Sequence, residues 1–199
     1  MNNVFAALPE VDADANRRLH SRLVAAADSA GLLDVAYRTI DSPIGTLLLA
    51  ATNDGLMRVA FDCEGHDQVL TTLADRVSPR ILNAPARLDA VAHQLDEYFA
   101  GRRSAFDVRL DFRLAAGFRR DVLRQLQHID YGKTASYAQI AAKAGNPKAV
   151  RAVGTACALN PLPLVVPCHR VVRSDGVAGN YRGGTQAKLT LLALEARQR

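Results

Sequence analysis

Apolar and polar positions follow a strand pattern after residue 34 and change to a helical pattern further along the chain. Three short apolar runs are separated by Asp41-Ser42-Pro43 and by Asn53-Asp54-Gly55. Turn residues between such runs are typical of an antiparallel meander that contains a hairpin. The predicted strands are residues 35–40, 45–52 and 55–61.

Helical spacing of apolar residues follows this meander in two segments, near residues 66–76 and 85–100. In the second segment Leu88, Leu95 and Phe99 share one face, which is the pattern of an amphipathic helix. The alternating stretch after this helix, residues 101–111, predicts a last strand that leads into a linker.

A helical pattern also precedes the meander. Leu19, Leu23 and Ala26 recur at helical spacing, and Gly31 lies where a helix commonly ends. We therefore expect residues 1–33 to form an N-terminal extension that contains one helix.

Helical patterns dominate the chain again after residue 113. Residues 117–128 predict an amphipathic helix, and "SYAQIAAKAG" at 136–145 predicts a shorter one. A third helix is predicted to begin with Pro147 at its first position and to end at Asn160. Two short helices joined by a turn that contains glycine are typical of a helix-turn-helix unit.

Together these patterns predict an α+β fold with two domains. Residues 34–112 would form a small N-terminal α/β domain with an antiparallel sheet. Residues 113–199 would form a mostly helical C-terminal domain with the helix-turn-helix and an active-site cysteine. No apolar stretch approaches the roughly 18 residues that a membrane span needs, so we expect a cytoplasmic protein without a membrane partner.

The net charge of +5 is distributed unevenly. Residues 113–199 contain 14 Lys and Arg against 4 Asp and Glu, whereas residues 1–112 contain 11 against 16. A basic half of this kind is expected where one part of a protein contacts nucleic acid or another polyanion. A merely solvated basic surface is the alternative that charge alone leaves open.

The three cysteines are Cys63, Cys157 and Cys168. An odd number with wide, irregular gaps argues against a disulfide framework and against a zinc site built from paired cysteines. We therefore expect free thiols and no metal site.

The string "LVVPCHRVV" at 164–172 places a cysteine, a histidine and an arginine directly after an apolar run. Because proline cannot donate to a sheet ladder, Pro167 is predicted to end a strand and to leave the thiol of Cys168 displayed at the mouth of a pocket. A reactive thiolate needs a nearby cation or base, and His169 and Arg170 are candidates by type. Adjacent side chains point in different directions, so His169 is expected to reach the sulfur through a water molecule.

One long cation lies among small residues on the second helix of the helix-turn-helix. Arg151 is surrounded in sequence by Ala149, Ala152 and Gly154. One interpretation is a tightly packed, buried helix whose arginine extends to solvent. The other is a helix that inserts into a narrow groove of nucleic acid.

These features occur in the same order as in a known protein family. The stretch "NPLPLVVPCHRVVRSDGVAGNYRGG", preceded by "SYAQIAAKAGNPKAVRAVG" and followed by "KLTLLALE", closely resembles the O6-alkylguanine-DNA alkyltransferases. These DNA-repair proteins are also called methylated-DNA–protein-cysteine methyltransferases. The resemblance is close over residues 117–195 and looser over 35–112.

The resemblance implies a transfer in which each molecule acts once and no cofactor takes part. Cys168 would accept the alkyl group from guanine, with His169 as the base acting through a water molecule and Glu195 orienting the imidazole. Asn160 resembles the family's hinge asparagine. Tyr137 would donate a hydrogen bond to the departing guanine.

The resemblance also implies how DNA is bound. The partner would be double-stranded DNA containing O6-alkylguanine, with O4-alkylthymine as a further candidate substrate, and the protein would be a monomer that can cluster on DNA. Arg151 would enter from the minor groove and occupy the space left by a flipped base, while small residues beside it and Tyr137 complete the DNA contact. The small residues are Ala149, Ala152 and Gly154.

The same resemblance implies a substrate pocket around the cysteine. The implied pocket residues are Val171, Tyr181, Arg182 and Cys157. Cys157 is also expected to contribute to packing. Serine or glycine is common in the family where Arg182 stands, so a long cation at the rim is expected to narrow the pocket or to bias it electrostatically.

Three alternatives remain at this point. A non-catalytic protein of the same fold could bind alkylated bases, although such relatives lack the nucleophile. A sequence-specific transcription factor would need hydrogen-bonding side chains on the recognition helix to read bases, and this chain has alanines and valines there. A cysteine hydrolase would want an oxyanion motif, which is not apparent in the sequence.

Overall fold

A four-stranded sheet forms the centre of the first part of the chain in the computed structural model, which describes residues 12–197. Its spatial order is β3-β2-β1-β4. The strands are β1 (Val35–Ile40), β2 (Leu47–Thr52), β3 (Gly55–Phe61) and β4 (Ile81–Asn83). The first three form the predicted antiparallel meander. The short β4 pairs in parallel with β1 and was not predicted.

Three helices accompany this sheet: α1 (Ala13–Ser29), α2 (His66–Arg76) and α3 (Asp89–Phe99). The side chain of Asp12 caps α1 by accepting a hydrogen bond from the backbone N–H of Asp14. Half-buried Val24 and Ala27 pack this helix against a small apolar cluster that includes Leu33. The predicted extension thus contains one helix, and its first 11 residues lie outside the described part of the chain.

The prediction of a last strand over residues 101–111 is wrong. Over this stretch the backbone makes only an isolated bridge, in which Leu110 pairs with Leu56. The side chain of Gln94 on α3 satisfies both backbone groups of Asp107 instead. The alternation of apolar residues therefore reflects packing on the sheet edge rather than a continuous ladder.

The second part of the chain is mostly helical, as predicted. Its elements are α4 (Gly117–Leu126), β5 (Ala135–Ser136), α5 (Tyr137–Lys143), α6 (Val150–Ala158), β6 (Val171–Val172) and α7 (Gly184–Ala196). The two short strands β5 and β6 pair in parallel. The helix-turn-helix is formed by α5 and α6, and Ser136 and Gln139 make a capping box at the start of α5.

The start of α6 was predicted three residues too early. Pro147 lies in a turn that is closed by a hydrogen bond from the N–H of Ala149 to the carbonyl of Asn146. The first helical bond of α6 runs from Val153 to Ala149. Because Asn146 favours a turn at this point, proline occupies the turn rather than the first helical position.

One buried apolar cluster contains side chains from both parts of the chain. Leu47, Phe61 and Leu95 from the first part belong to the same cluster as Leu123 and Leu191 from the second. The sheet and α3 therefore support the segments that carry the candidate site. Within residues 12–197, no helix has both the length and the apolar character needed to cross a membrane.

Candidate active site

The segment before the cysteine is a series of turns, so the predicted strand that ends at Pro167 is wrong. Leu164 has a positive φ of 74°, which a strand does not allow. The N–H of Val166 bonds to the carbonyl of Leu162, and a 3₁₀ turn over Cys168–Arg170 follows. The apolar residues of this run are buried because the turns pack into the core.

Asn160 holds this turn segment and the sulfur together. Its Nδ2 donates to the Sγ of Cys168 at 3.1 Å and to the carbonyl of Val166 at 2.9 Å. Its Oδ1 accepts from the N–H of Leu162 at 2.9 Å. All three contacts are buried, so Asn160 fixes the position of the sulfur as well as the path of the chain.

The expectation that the Cys168 thiol is displayed is wrong, because only 3% of this residue is exposed. Burial raises the pKa of the thiol to about 11, although the Asn160 hydrogen bond and the charge of Lys188 act in the opposite direction. The sulfur is therefore protonated at neutral pH and needs a base before it can act as a nucleophile.

His169 and Glu195 form a buried pair beside the cysteine. The Nε2 of His169 lies 2.9 Å from the Oε1 of Glu195, and both side chains are almost fully buried. Burial lowers the pKa of His169, against the opposing effect of Glu195, so the imidazole is neutral at pH 7. Its Nδ1 is buried and has no hydrogen-bond partner among the described residues, which leaves it available for a water molecule.

Glu195 is held by more donors than sequence reasoning assigned to it. The Nε of Arg170 donates to its Oε2 at 2.9 Å, and the Tyr98 hydroxyl donates to its Oε1 at 2.7 Å. Burial alone would raise the pKa of Glu195, but the hydrogen bonds from His169 and Arg170 lower it to about 2. The carboxylate therefore stays ionised and holds the imidazole in place.

Sequence reasoning missed Lys188 as well as Tyr98. It is fully buried on α7, and its Nζ donates to the carbonyl of Val171 at 2.6 Å. Burial lowers the pKa of Lys188, while the nearby thiol of Cys168 opposes this shift. One signal was present, because Lys188 precedes Glu195 by two helical turns and so shares its face on an apolar helix.

A cavity of about 590 Å³ brings together five of the residues that the resemblance implied. They are Tyr137, Arg151, Gly154, Tyr181 and Arg182. The buried members of the predicted site do not line this cavity and lie in the core: Cys168, His169, Glu195, Asn160, Val171 and Cys157. The cavity thus lies between α6 and the loop that follows the cysteine.

The outward side of α6 is open to solvent, although Ala149 and Ala152 do not line the cavity. Arg151 and Ala152 are exposed and Ala149 is half-buried, whereas Val153 faces the core. Arg151 therefore does not extend out of a buried helix. A Cβ atom on Gly154 would contact nothing within 4 Å, so there is room for a larger residue. Glycine destabilises a helix interior, and crowding inside the protein does not explain its presence at this position.

Two glycines shape the loop on the other side of the cavity. A Cβ on Gly179, which has φ +65°, would lie 3.2 Å from the hydroxyl oxygen of Tyr137. A Cβ on Gly183 would lie 2.7 Å from the ring of Phe61. The Tyr181 ring packs edge-on against Phe61 with 5.4 Å between centroids, so β3 supports the pocket wall.

Arg182 lies at the rim, where the resemblance placed it, but its guanidinium is tied to the first part of the chain. Its Nε donates to Oε2 of Glu64, and its Nη1 donates to the carbonyl of Ala158 at 3.2 Å. Glu64 also accepts from buried Arg58. The rim arginine is therefore fixed rather than free in solvent.

All three cysteines are free thiols. Cys157 is buried on α6, whereas Cys63 is exposed and its Sγ lies 3.6 Å from the carbonyl oxygen of Arg182. Across residues 12–197, no group of three or more His, Cys, Asp or Glu side chains is placed to hold a metal ion.

Comparison with known proteins assigns both parts of the chain to one family. Residues 35–112 match the ribonuclease-like domain of 6-O-methylguanine DNA methyltransferase, and residues 117–197 match its DNA binding domain. The chain belongs to this family. A methylated-DNA–protein-cysteine methyltransferase of Mycolicibacterium paratuberculosis is 42% identical over 163 residues, which cover 82% of this chain and 93% of the relative.

Further relatives of this methyltransferase family agree. The constitutive enzyme of Bacillus subtilis is 38% identical over 80% of this chain and 94% of its own. The crystal structure of the Mycobacterium tuberculosis O6-methylguanine methyltransferase has a TM-score of 0.73 and 39% identity over 83% of this chain and 94% of its own. An OGT structure from that organism in complex with DNA has a TM-score of 0.71 and 38% identity, covering 82% and 94%. The predicted family, fold class and enzyme class are thereby confirmed.

Proposed function

We propose that this protein repairs O6-alkylguanine in double-stranded DNA by moving the alkyl group to the sulfur of Cys168, once per molecule. The bond between sulfur and the alkyl carbon forms while the bond between that carbon and the guanine oxygen breaks. The electron pair of the broken bond stays on the guanine. The product is a thioether with no easy leaving group, so the protein is consumed.

Two buried contacts carry this proposal: Asn160 to the sulfur of Cys168, and His169 to Glu195. A thiol with a raised pKa needs a base, and a neutral imidazole with a free Nδ1 can accept its proton through a water molecule. Glu195 then stabilises the imidazolium that forms.

The departing guanine needs a donor as negative charge develops on it. Tyr137 lines the cavity, and burial raises the pKa of its hydroxyl, so this group keeps its proton and can donate. We assign the recognition of the guanine edge to backbone groups near Val171 and Arg182, with Tyr181 as the wall of the pocket.

The proposal includes flipping of the damaged nucleotide, because an oxygen inside the base stack is out of reach of a protein thiol. Extrusion costs a few kcal/mol and is easiest for a poorly paired base. Arg151 is exposed among small residues on α6, so its long side chain is suited to fill the space that the flipped base leaves in the stack. The relative that was solved in complex with DNA supports DNA as the partner.

The direct test uses duplex DNA with a radiolabelled O6-methylguanine. We expect the label to move to protein with a limit of one per molecule, and we expect Cys168→Ala to abolish transfer while duplex binding remains. Cys63→Ala is the matched control, because it removes an exposed thiol and leaves the site intact. A duplex with O4-methylthymine tests the second substrate.

Two results would contradict the proposal. Multiple turnovers would show that the thioether is not the end point. Lesion-specific binding without any transfer by the unmodified protein would favour the non-catalytic alternative.

A further inference from the structure

A second cavity lies between α2, the end of β3 and the hinge at residues 159–161. Its volume is about 240 Å³. Four arginine side chains and one carboxylate line it, and they are Arg58, Arg76, Arg119, Arg182 and Glu64. The active-site chemistry described above does not use this cavity, although Arg182 borders both.

Positive charge is in excess in this lining. Glu64 accepts hydrogen bonds from both Arg58 and Arg182, so one carboxylate compensates two guanidinium groups. Arg76 and Arg119 have no carboxylate partner within residues 12–197. Because arginine does not lose its proton in proteins, the cavity keeps this excess at any physiological pH.

Arg119 also has an unused donor. Its Nη2 donates to the carbonyl of Leu114 at 2.7 Å, but its Nε is buried and has no partner among the described residues. A buried donor of this kind costs free energy unless something binds it. The favourable interaction of a cation with the end of a helix accounts for Arg76 on α2, but it does not account for Arg119.

We propose that this cavity binds a phosphate group, with Arg76, Arg119 and Arg182 as its donors. The planar guanidinium fork matches the geometry of phosphate oxygens. The volume is several times the roughly 30 Å³ share of one water molecule, so a phosphate fits together with bound water. Two sources share this chemistry: free phosphate, and a backbone phosphate of the DNA that the proposed function places on α6.

The first arm of the test uses inorganic phosphate with the full chain. Thermal unfolding and isothermal titration calorimetry are compared in phosphate and in sodium chloride of equal ionic strength. The variant is Arg76→Gln with Arg119→Gln, and the control is Arg22→Gln, which removes an exposed arginine from α1. We expect phosphate to bind the unmodified protein and the control, and to bind the double variant about tenfold more weakly or worse.

The second arm uses undamaged duplex DNA and measures how the binding constant changes with salt concentration. If a DNA phosphate occupies the cavity, the slope of log K against log salt falls by about 1 in the double variant and is unchanged in Arg22→Gln. If the slope is unchanged while binding of inorganic phosphate is lost, the site is for free phosphate. Equal behaviour of the double variant and the unmodified protein in both arms overturns the proposal.

This test is independent of alkyl transfer. Cys168→Ala should bind phosphate and undamaged DNA like the unmodified protein. The double variant should react with the free base O6-benzylguanine at the unmodified rate, since neither arginine belongs to the site around the sulfur.

Discussion

The hydroxyl of Tyr98 on α3 donates a 2.7 Å hydrogen bond to the carboxylate of Glu195 on α7. Both side chains are buried, and Tyr98 also lies 3.5 Å from the Nε2 of His169. Burial raises the pKa of Tyr98, so the hydroxyl remains a donor. The first part of the chain therefore does more than support the second, because it supplies a donor to the acid of the proposed triad.

Replacing Tyr98 with phenylalanine removes this donor and keeps the ring. Hydrogen bonds to charged groups contribute about 1.5–3 kcal/mol, so we expect a loss of that order in the free energy of unfolding, measured in urea. Methyl transfer should slow, because the carboxylate holds the imidazole less firmly. Tyr37→Phe on β1 is the control, and equal stability of the two variants would show that the Tyr98 contact contributes nothing.

Acid should destabilise the fold in two steps. The folded pKa of His169 lies below its ordinary value of 6.5. Its contribution to the free energy of unfolding is therefore complete above pH 6.5 and is lost as the pH falls below that value. The folded pKa of Glu195 is about 2 against an ordinary 4.5, so its contribution, roughly 3 kcal/mol, is lost as pH falls through that interval. Urea unfolding from pH 7 to pH 2 measures both.

The same shifts predict the pH profile of methyl transfer. Because burial holds the pKa of His169 below 6.5, the midpoint of the acid fall in the single-turnover rate should lie at a pH below 6.5. NMR titration of the imidazole checks the cause directly. A pKa of His169 at or above 6.5 would contradict the assignment.

Replacing Lys188 with methionine should slow transfer and destabilise the fold. The change removes a cation that favours the thiolate of Cys168, and it leaves the buried carbonyl of Val171 without its donor. An unsatisfied buried acceptor costs about 1–3 kcal/mol. Single-turnover rates and urea unfolding measure both effects. Lys143→Met on α5 removes an exposed lysine and should change neither quantity.

Local patterns predicted much of this fold. The meander of β1, β2 and β3 and the helix-turn-helix were predictable because each depends on the spacing of apolar residues and on turn residues close by in the sequence. The parallel strand β4 was missed because three residues are too few to show a period. The strand expected before Pro167 was wrong because a buried apolar run has the same composition whether it is a strand or a series of turns.

Only the site residues that belong to the motif around Cys168 or to the family resemblance were predictable from the sequence. The string around Cys168 indicated the nucleophile and the neighbouring imidazole, and the resemblance implied Glu195. Tyr98 carries no such signal, since it looks like one more core residue of α3 and lies 97 positions from its partner. The pairing of Glu64 with Arg182 spans 118 positions and is equally invisible to local patterns.

Arg182 should restrict which alkyl groups react. Its guanidinium is fixed at the rim by Glu64 and by the carbonyl of Ala158, so it narrows access to the sulfur. We expect Arg182→Ser to raise the rate with O6-benzylguanine several-fold relative to the rate with O6-methylguanine, with both lesions in the same duplex DNA. Arg173→Ser removes another arginine that lines the cavity and lacks the Glu64 contact, so it is the control. An unchanged ratio would mean that the rim arginine does not select substrates.

Arg151 should matter only when a base has to leave the stack. Arg151→Ala is expected to slow the repair of O6-methylguanine in duplex DNA by tenfold or more, which corresponds to about 1.4 kcal/mol of lost stabilisation for the flipped state. Its reaction with the free base O6-benzylguanine should be unchanged, because the free base needs no extrusion. Lys148→Ala removes a nearby exposed cation and should weaken duplex binding without changing the ratio of the two rates at saturating duplex. If Arg151→Ala slowed both reactions equally, the arginine would act on the pocket or the fold, and its proposed place in the vacated stack would have to be abandoned.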